Sequence, residues 1–242
     1  MTRSLYLRTE ILRTFRNRRF LIFSLGFPLL LFLVVAGSNR HARLGGISFP
    51  LYYMTGMIAW GTMVAVTSSG ARICVERQAG WTRQLRITPL PMRTYFGAKV
   101  FSGYLMALLS IAVLFVAGSV LGVRLSASQW FGMTGLVLVG LIPFAVMGIM
   151  LGHLLGADSV GPALGGITAV FALLGGAWGP LATHGVLLHI AKVLPSYWLV
   201  QAGKIGLGGG AWPAEAWIVI AVWTVVLGRL AARVYQRDTA RV

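Results

Sequence analysis

The chain has 242 residues, of which 57% are hydrophobic and only 11% charged, and its mean hydropathy is +0.79. Soluble domains carry about 45–50% apolar and about 25% charged residues, so this composition excludes a soluble globular protein and a disordered chain. On a soluble protein the net charge of +16 would suggest nucleic-acid binding. Here the basic residues flank long uncharged intervals, so we expect an all-α membrane protein, a single domain over 1–242, and no nucleic-acid partner.

The first 19 residues predict an amphipathic helix, because Leu5, Leu12 and Phe15 with Ile11 fall near helical spacing among six arginines. Such a helix lies in the membrane interface, with its basic face near anionic lipid. A solvated basic tail is the alternative. Small residues after the next apolar run also leave a cleaved signal peptide as a competing interpretation.

Six membrane-spanning helices are expected, because the apolar intervals approach the roughly 20 residues that cross a bilayer. The basic residues concentrate before span one, after span two and after span six, so the positive-inside rule places both termini in the cytoplasm. Pro143 is expected to kink span four. No span is expected to carry a buried charge, which argues against an ion pump. The predicted spans are about 20–37, 50–71, 95–122, 130–152, 160–178 and 215–229.

Residues 181–211, between spans five and six, are apolar but interrupted by Pro195 and several glycines. They are too broken for an ordinary span, and we expect helical pieces that dip into the outer leaflet. Tyr197, Trp198 and Trp212 are then expected at the membrane interface, where aromatic residues are enriched.

Motifs for catalysis are missing from the sequence. None of the three lysines follows a glycine-rich turn as in a Walker A loop, and no His-Glu-x-x-His motif occurs. The single cysteine, Cys74, excludes an internal disulfide framework and a cysteine-based metal site. We therefore expect neither catalytic residues nor a metal site in this chain.

The most informative segment is the connection between spans two and three, residues 72–94, which is predicted to be cytoplasmic. Its first half can be helical, and Pro89 with Pro91 ends the helix. Trp81 and Leu85 form an apolar i, i+4 pair on this basic helix. Either the lipid headgroups or a partner protein should cover that pair.

This connection resembles the corresponding loop of a known family, the type-2 permeases of ATP-binding-cassette (ABC) transporters. The resemblance extends over essentially the whole chain, including the basic first helix, the six spans and the broken outer segment. The residues that carry it in the loop are Glu76-Arg77, Gly80, Leu85, Thr88-Pro89 and Gly97-Ala98-Lys99.

The resemblance implies a permease that pairs with a second permease chain and with two cytoplasmic ATPase subunits in a bacterial inner membrane. ATP and Mg would bind to the ATPase subunits, and this chain would bind no cofactor. The loop would act as a coupling helix seated on the ATPase, and the alternative is a membrane-surface helix whose arginines contact only phospholipid. The coupling residues carried over are Glu76, Arg77, Gly80, Trp81, Leu85, Thr88 and Pro89.

The transport path of such permeases lies between the two permease chains, lined largely by spans two and five. Aromatic and methionine side chains there suit bulky apolar cargo, although ordinary helix packing or lipid contact gives the same stripes. The candidates are Tyr53, Met57, Trp60, Val64 and Thr67 in span two and Phe171, Leu174 and Trp178 in span five.

The resemblance further implies export of an amphipathic drug or lipid-like molecule, with multidrug efflux and antibiotic resistance as the expected role. A permease for a lipid-linked glycan is the alternative within the same class. From another class, the alternative is a six-span scaffold or assembly protein without transport.

Overall fold

A computed structural model of the chain describes residues 3–44, 46–81, 84, 87, 90–179, 185–208 and 212–240, and nearly all of them are helical. Within these residues, five helices are long and apolar enough to cross a membrane, and all five coincide with predicted spans. The first predicted span corresponds to a shorter apolar helix, Ile22–Ala36, so the six-span count stays a prediction. The five are Phe49–Gln78, Met92–Val120, Ala127–Leu154, Ala157–Gly175 and Ala214–Asp238.

The amino-terminal part is a helix followed by an almost unbroken helical run and a hairpin. Its helices are α1 Arg3–Arg16, α2 Arg18–Leu21 and α3 Phe27–Leu31, with π-helical turns at Ile22–Gly26 and Phe32–Ala36. The hairpin pairs β1 Arg43–Leu44 with β2 Ile47–Ser48 in antiparallel register. Gly46 adopts a φ of +82° in its turn, a conformation that favours glycine.

The helices of the bundle follow in chain order. They are α4 Phe49–Ala71, α5 Ile73–Gln78, α6 Met92–Val120, α7 Ala127–Gly140, α8 Ile142–Leu154, α9 Ala157–Gly175, α10 Val186–Val193, α11 Pro195–Gly208 and α12 Ala214–Ala240.

Local sequence signals explain several of these boundaries. The Ser126 hydroxyl and the Gln129 side chain form a capping box that begins α7. Span four is interrupted where Pro143 predicts a kink: α7 ends at Gly140 and α8 begins at Ile142 with Pro143 in its first turn. α4 and α5 are separated by Arg72 alone, so the helix of span two continues into the predicted loop as far as Gln78.

Helix α4 is the centre of the bundle and packs against α6, α8, α9 and α11. Its contact with α8 depends on glycines that let the two backbones approach. A Cβ atom added at Gly70 would lie 2.6 Å from the Ile149 nitrogen, and one added at Gly152 would lie 2.8 Å from the Gly70 oxygen. No larger residue fits there without displacing a helix.

The segment between spans five and six forms two helices, α10 and α11, as its proline and glycines suggested. The interfacial placement of Trp198 and Trp212 is wrong, because both are buried in the core of the bundle. The Trp198 indole is satisfied internally, since its Nε1 donates to the Lys192 carbonyl at 2.7 Å. Helix α11 reaches this core by packing against α4, α7 and α9.

One end of the bundle, which we call the basic end, gathers α1, residues 72–81, the start of α6 and the carboxyl ends of α8 and α12. Contacts between these elements place the amino-terminal helix and the end of α12 together, as an even number of spans requires. On α1, Tyr6, Glu10 and Thr14 face the bundle, whereas the predicted lipid-facing residues Leu5 and Leu12 are exposed.

Candidate functional site: an ion-paired junction and an apolar groove

The first candidate residue, Glu76, lies on α5 at the basic end and is only 2% exposed. Its carboxylate accepts hydrogen bonds from Lys99 Nζ at 2.5 Å, Tyr95 Oη at 2.7 Å and Arg13 Nη1 at 2.8 Å. A buried carboxylate needs such compensation, because removal from water otherwise disfavours its charge. Glu76 therefore fastens α5 to α1 and α6.

Lys99 of α6 is fully buried and binds a second carboxylate, Glu10 of α1, at 2.6 Å. The expectation that no span carries a buried charge is therefore wrong. The lysine is tolerated because two acidic residues, from α1 and α5, surround it. The sequence did contain an indication of this buried cluster, because Glu10 is the single acidic residue before Glu76.

The next candidate, Arg77, points to a different part of the bundle. Its Nη1 donates to the Gly152 and His153 carbonyls at 3.2 and 2.8 Å, at the carboxyl end of α8. Its Nη2 donates to the Asp238 carboxylate of α12, which also lies 3.0 Å from His153 Nδ1. A cation at the end of α8 also complements the helix dipole. Arg77 thus joins α5 to α8 and α12.

Gly80 and Trp81 form the turn that follows α5. Gly80 ends the helix with a φ of +72°, in the left-handed region where glycine is favoured. Trp81 packs against a buried cluster that includes Tyr6 of α1 and Tyr95 of α6. The chain itself therefore covers part of Trp81, where headgroups or a partner protein were expected.

Burial raises the pKa of the Tyr6 phenol, and Glu10 raises it further, so this hydroxyl stays protonated.

The remaining coupling candidates, Leu85, Thr88 and Pro89, lie outside the described residues. Between them the structure places Ile87, whose side chain is 88% exposed. The sequence reasoning missed this residue. Its signal was an isoleucine between an arginine and a threonine in a loop predicted to be cytoplasmic.

A second feature is an apolar groove of about 610 Å³ between the helical run 17–27, α4 and α9. The Trp60 ring lies 5.5 Å from Phe27 and 5.3 Å from Trp178, both edge to face. On α9 the wall consists largely of small residues, so the groove opens along that helix. The residues that line it are Asn17, Phe20, Phe23, Phe27, Trp60, Val64, Ser68, Gly161, Leu164, Gly165 and Thr168.

Comparison with known proteins identifies the family of this chain. The family model described as ABC-2 type transporter matches residues 4–207. The chain belongs to the ABC-2 type transporter family. It is also 28% identical over 207 residues to a Bacillus subtilis (strain 168) protein named "Putative transport permease YvfS", covering 84% of this chain and 81% of that protein. As an ABC-2 type permease with several apolar helices, the chain is a multi-pass membrane protein.

In this ABC-2 type permease the path candidates of span two divide into two groups. Trp60 and Val64 line the apolar groove. Tyr53, Met57 and Thr67 are buried inside the single chain.

The three candidates of span five also differ from one another. Trp178 contacts Trp60 and is partly exposed beyond the end of α9. Phe171 packs against Phe144, with 5.6 Å between the ring centroids, and Leu174 is half-buried. The structure therefore places Trp60 and Val64 on the groove with Trp178 against Trp60, and it leaves the others in packing positions.

Proposed function

We propose that this chain is the permease subunit of an ABC exporter that moves an amphipathic drug or lipid-like molecule out of the cytoplasm. Two separate ATPase subunits supply the energy, and a second permease chain completes the transporter. Membership of the ABC-2 type transporter family supports the class of the protein. The observation that carries the proposal is the junction at Glu76 and Arg77, which ties the predicted coupling loop to four helices.

Transmission of force requires a stiff connection between the ATPase contact and the spans. Helix α5 continues α4 almost without interruption, and Glu76 and Arg77 bind α1, α6, α8 and α12. A displacement of the loop therefore moves these helices together, as in a rigid-body transition. The exposed Ile87 offers the ATPase an apolar residue within the loop.

The apolar groove suits an amphipathic drug or lipid-like cargo. Its aromatic wall at Phe20, Phe27 and Trp60 accepts apolar molecules of varied shape, and Asn17 adds a polar group. A second permease facing spans two and five would close the groove into a path between the two chains.

The test is co-purification of the tagged chain with its ATPase subunit, in the wild type and in Ile87→Asp. A charge at Ile87 should remove the ATPase subunit, whereas Val186→Asp, at an exposed valine of α10, should leave it bound. Stoichiometric ATPase in both variants would contradict the docking role of Ile87. A wild-type chain that is folded but retains no ATPase would contradict the proposed function itself.

Transport is measured separately, as ATP-dependent accumulation of a fluorescent amphipathic compound in inside-out vesicles. Accumulation in the wild type and its loss in Ile87→Asp would support export. Equal accumulation with and without ATP would contradict it.

A further inference from the structure

A second cavity, of about 590 Å³, lies where α1 meets the junction of α4 and α5. We call it the arginine pocket, because Arg13, Arg16 and Arg72 line it. Asn17 lines both this pocket and the apolar groove, so the two lie side by side. One site therefore presents a strongly basic part next to an apolar part.

The charges around the arginine pocket do not balance. The three arginines and Lys99 face only two carboxylates, which leaves two positive charges in excess. Both carboxylates are already engaged, since Glu10 binds Lys99 and Glu76 binds Lys99 and Arg13. In the part of the chain that the structure describes, Arg16 and Arg72 form no ion pair. This excess of positive charge favours the binding of an anion.

The Arg72 guanidinium is held in position with one nitrogen unsatisfied. Its Nη1 donates to Thr14 Oγ1 at 2.9 Å, and its central carbon lies 4.6 Å from the centre of the Phe20 ring. Its Nη2 is buried and has no hydrogen-bond partner among the described residues. Such a nitrogen favours an oxyanion, because guanidinium groups bind phosphate and carboxylate oxygens in fixed geometry. The orphaned donor indicates a ligand with acceptor oxygens.

The surroundings indicate that this ligand also has an apolar part. Leu12 and Phe15 on α1 are exposed beside the pocket, as expected for a helix in the membrane interface. From Asn17 the groove continues along Phe20, Phe23 and Leu164 into the span region. A free anion would use only the basic part. A lipid would place its headgroup at the arginines and an acyl chain in the groove, as basic pockets between membrane helices do.

We propose that the arginine pocket binds the phosphate of an anionic glycerophospholipid, with an acyl chain of the same lipid in the apolar groove. The inference concerns lipid binding by this chain and does not depend on the proposed export function. Arg72 supplies the fixed donor, Arg16 supplies an exposed charge, and Phe20 forms the boundary between head and tail.

The test uses the full chain in detergent with defined lipids, followed by native mass spectrometry. Phosphatidylglycerol should be retained in preference to phosphatidylcholine, and Arg16→Gln should weaken its retention about tenfold, the effect of losing one charge-assisted contact. Arg72→Gln should do the same. Arg18→Gln is the matched control, because it removes an equal charge close by from an exposed residue that does not line the pocket.

Arg16→Gln keeps the test valid even if Arg72→Gln fails to fold, because Arg16 is exposed. Equal retention of the two lipids by the wild type would overturn the proposal, as would unchanged retention in Arg16→Gln. Millimolar inorganic phosphate is added as a competitor. Displacement of phosphatidylglycerol by phosphate would show a site for free anions and would also overturn it.

Discussion

Glu76 and Arg77 are neighbours in the chain, yet they bind opposite parts of the bundle. The Glu76 carboxylate accepts from Lys99 of α6 at 2.5 Å, whereas Arg77 donates to Asp238 of α12. Successive residues of a helix point about 100° apart, so one turn of α5 can reach two sets of helices. A single short segment therefore controls how α1, α6, α8 and α12 meet at the basic end.

The first prediction concerns Lys99→Met, which leaves Glu10 and Glu76 buried without their shared cation. We expect a loss of about 3–5 kcal/mol in the free energy of unfolding, the usual result of removing one partner of a buried pair. The measurement is thermal unfolding in detergent, with Arg124→Met at an exposed position as the control. Adding Glu10→Gln and Glu76→Gln should recover much of the loss, and a fully stable Lys99→Met protein would contradict the role of the cluster.

The second prediction compares Arg77→Gln with Asp238→Asn. Arg77→Gln should cost more stability, because Arg77 also binds the carbonyls of Gly152 and His153. Both partners are partly exposed, so we expect only about 1–2 kcal/mol for Arg77→Gln and less for Asp238→Asn. A double-mutant cycle in thermal unfolding measures their coupling. Arg237→Gln, on the adjacent exposed residue, should change nothing, and equal effects of all three variants would contradict a specific junction.

The helical spans could be predicted because hydrophobic length and proline position act locally. The break between α7 and α8 beside Pro143 follows from one missing N–H group, and the turn at Gly80 follows from one backbone conformation. The buried cluster of Lys99 could not be predicted in the same way. Its members are far apart in the chain, and each of them alone looks like an ordinary basic or acidic residue near the end of a span.

The path candidates on α4 illustrate a second limit of prediction from the sequence. This helix is apolar on nearly every side, as expected for one surrounded by others, so periodicity does not show which face meets the groove. Trp60 and Met57 are therefore equivalent in the sequence but separate in the structure. The same holds for Trp198, whose indole finds a partner inside the protein rather than at the lipid surface.

The third prediction uses the close contact between α4 and α8. A Cβ atom at Gly148 would collide with the Thr67 carbonyl group, which belongs to the backbone and cannot move aside. Gly148→Ala should therefore destabilise the protein by about 1–3 kcal/mol or more. Gly132→Ala on α7 is the matched control, since nothing lies within 4 Å of a Cβ atom there. Thermal unfolding of both variants is the measurement, and equal stability would contradict the close approach of the two helices.

The last prediction separates the two groups of path candidates on α4. Trp60→Ala removes an aromatic ring that lines the groove and contacts Phe27, so it should lower ATP-dependent accumulation of an amphipathic compound in inside-out vesicles several-fold. Because Trp60 is only partly buried, its loss should cost less stability than that of a core residue. Met57→Ala should do the reverse, since Met57 is fully buried and its truncation leaves a cavity worth about 2–5 kcal/mol.

Both variants are compared at equal amounts of folded protein, which is measured by size-exclusion chromatography of a fluorescent fusion. If Met57→Ala impaired transport per folded molecule as strongly as Trp60→Ala, the path would have to reach the interior of the single chain. Cargo would then pass through the core around α4. The groove on its open side would have to serve lipid alone.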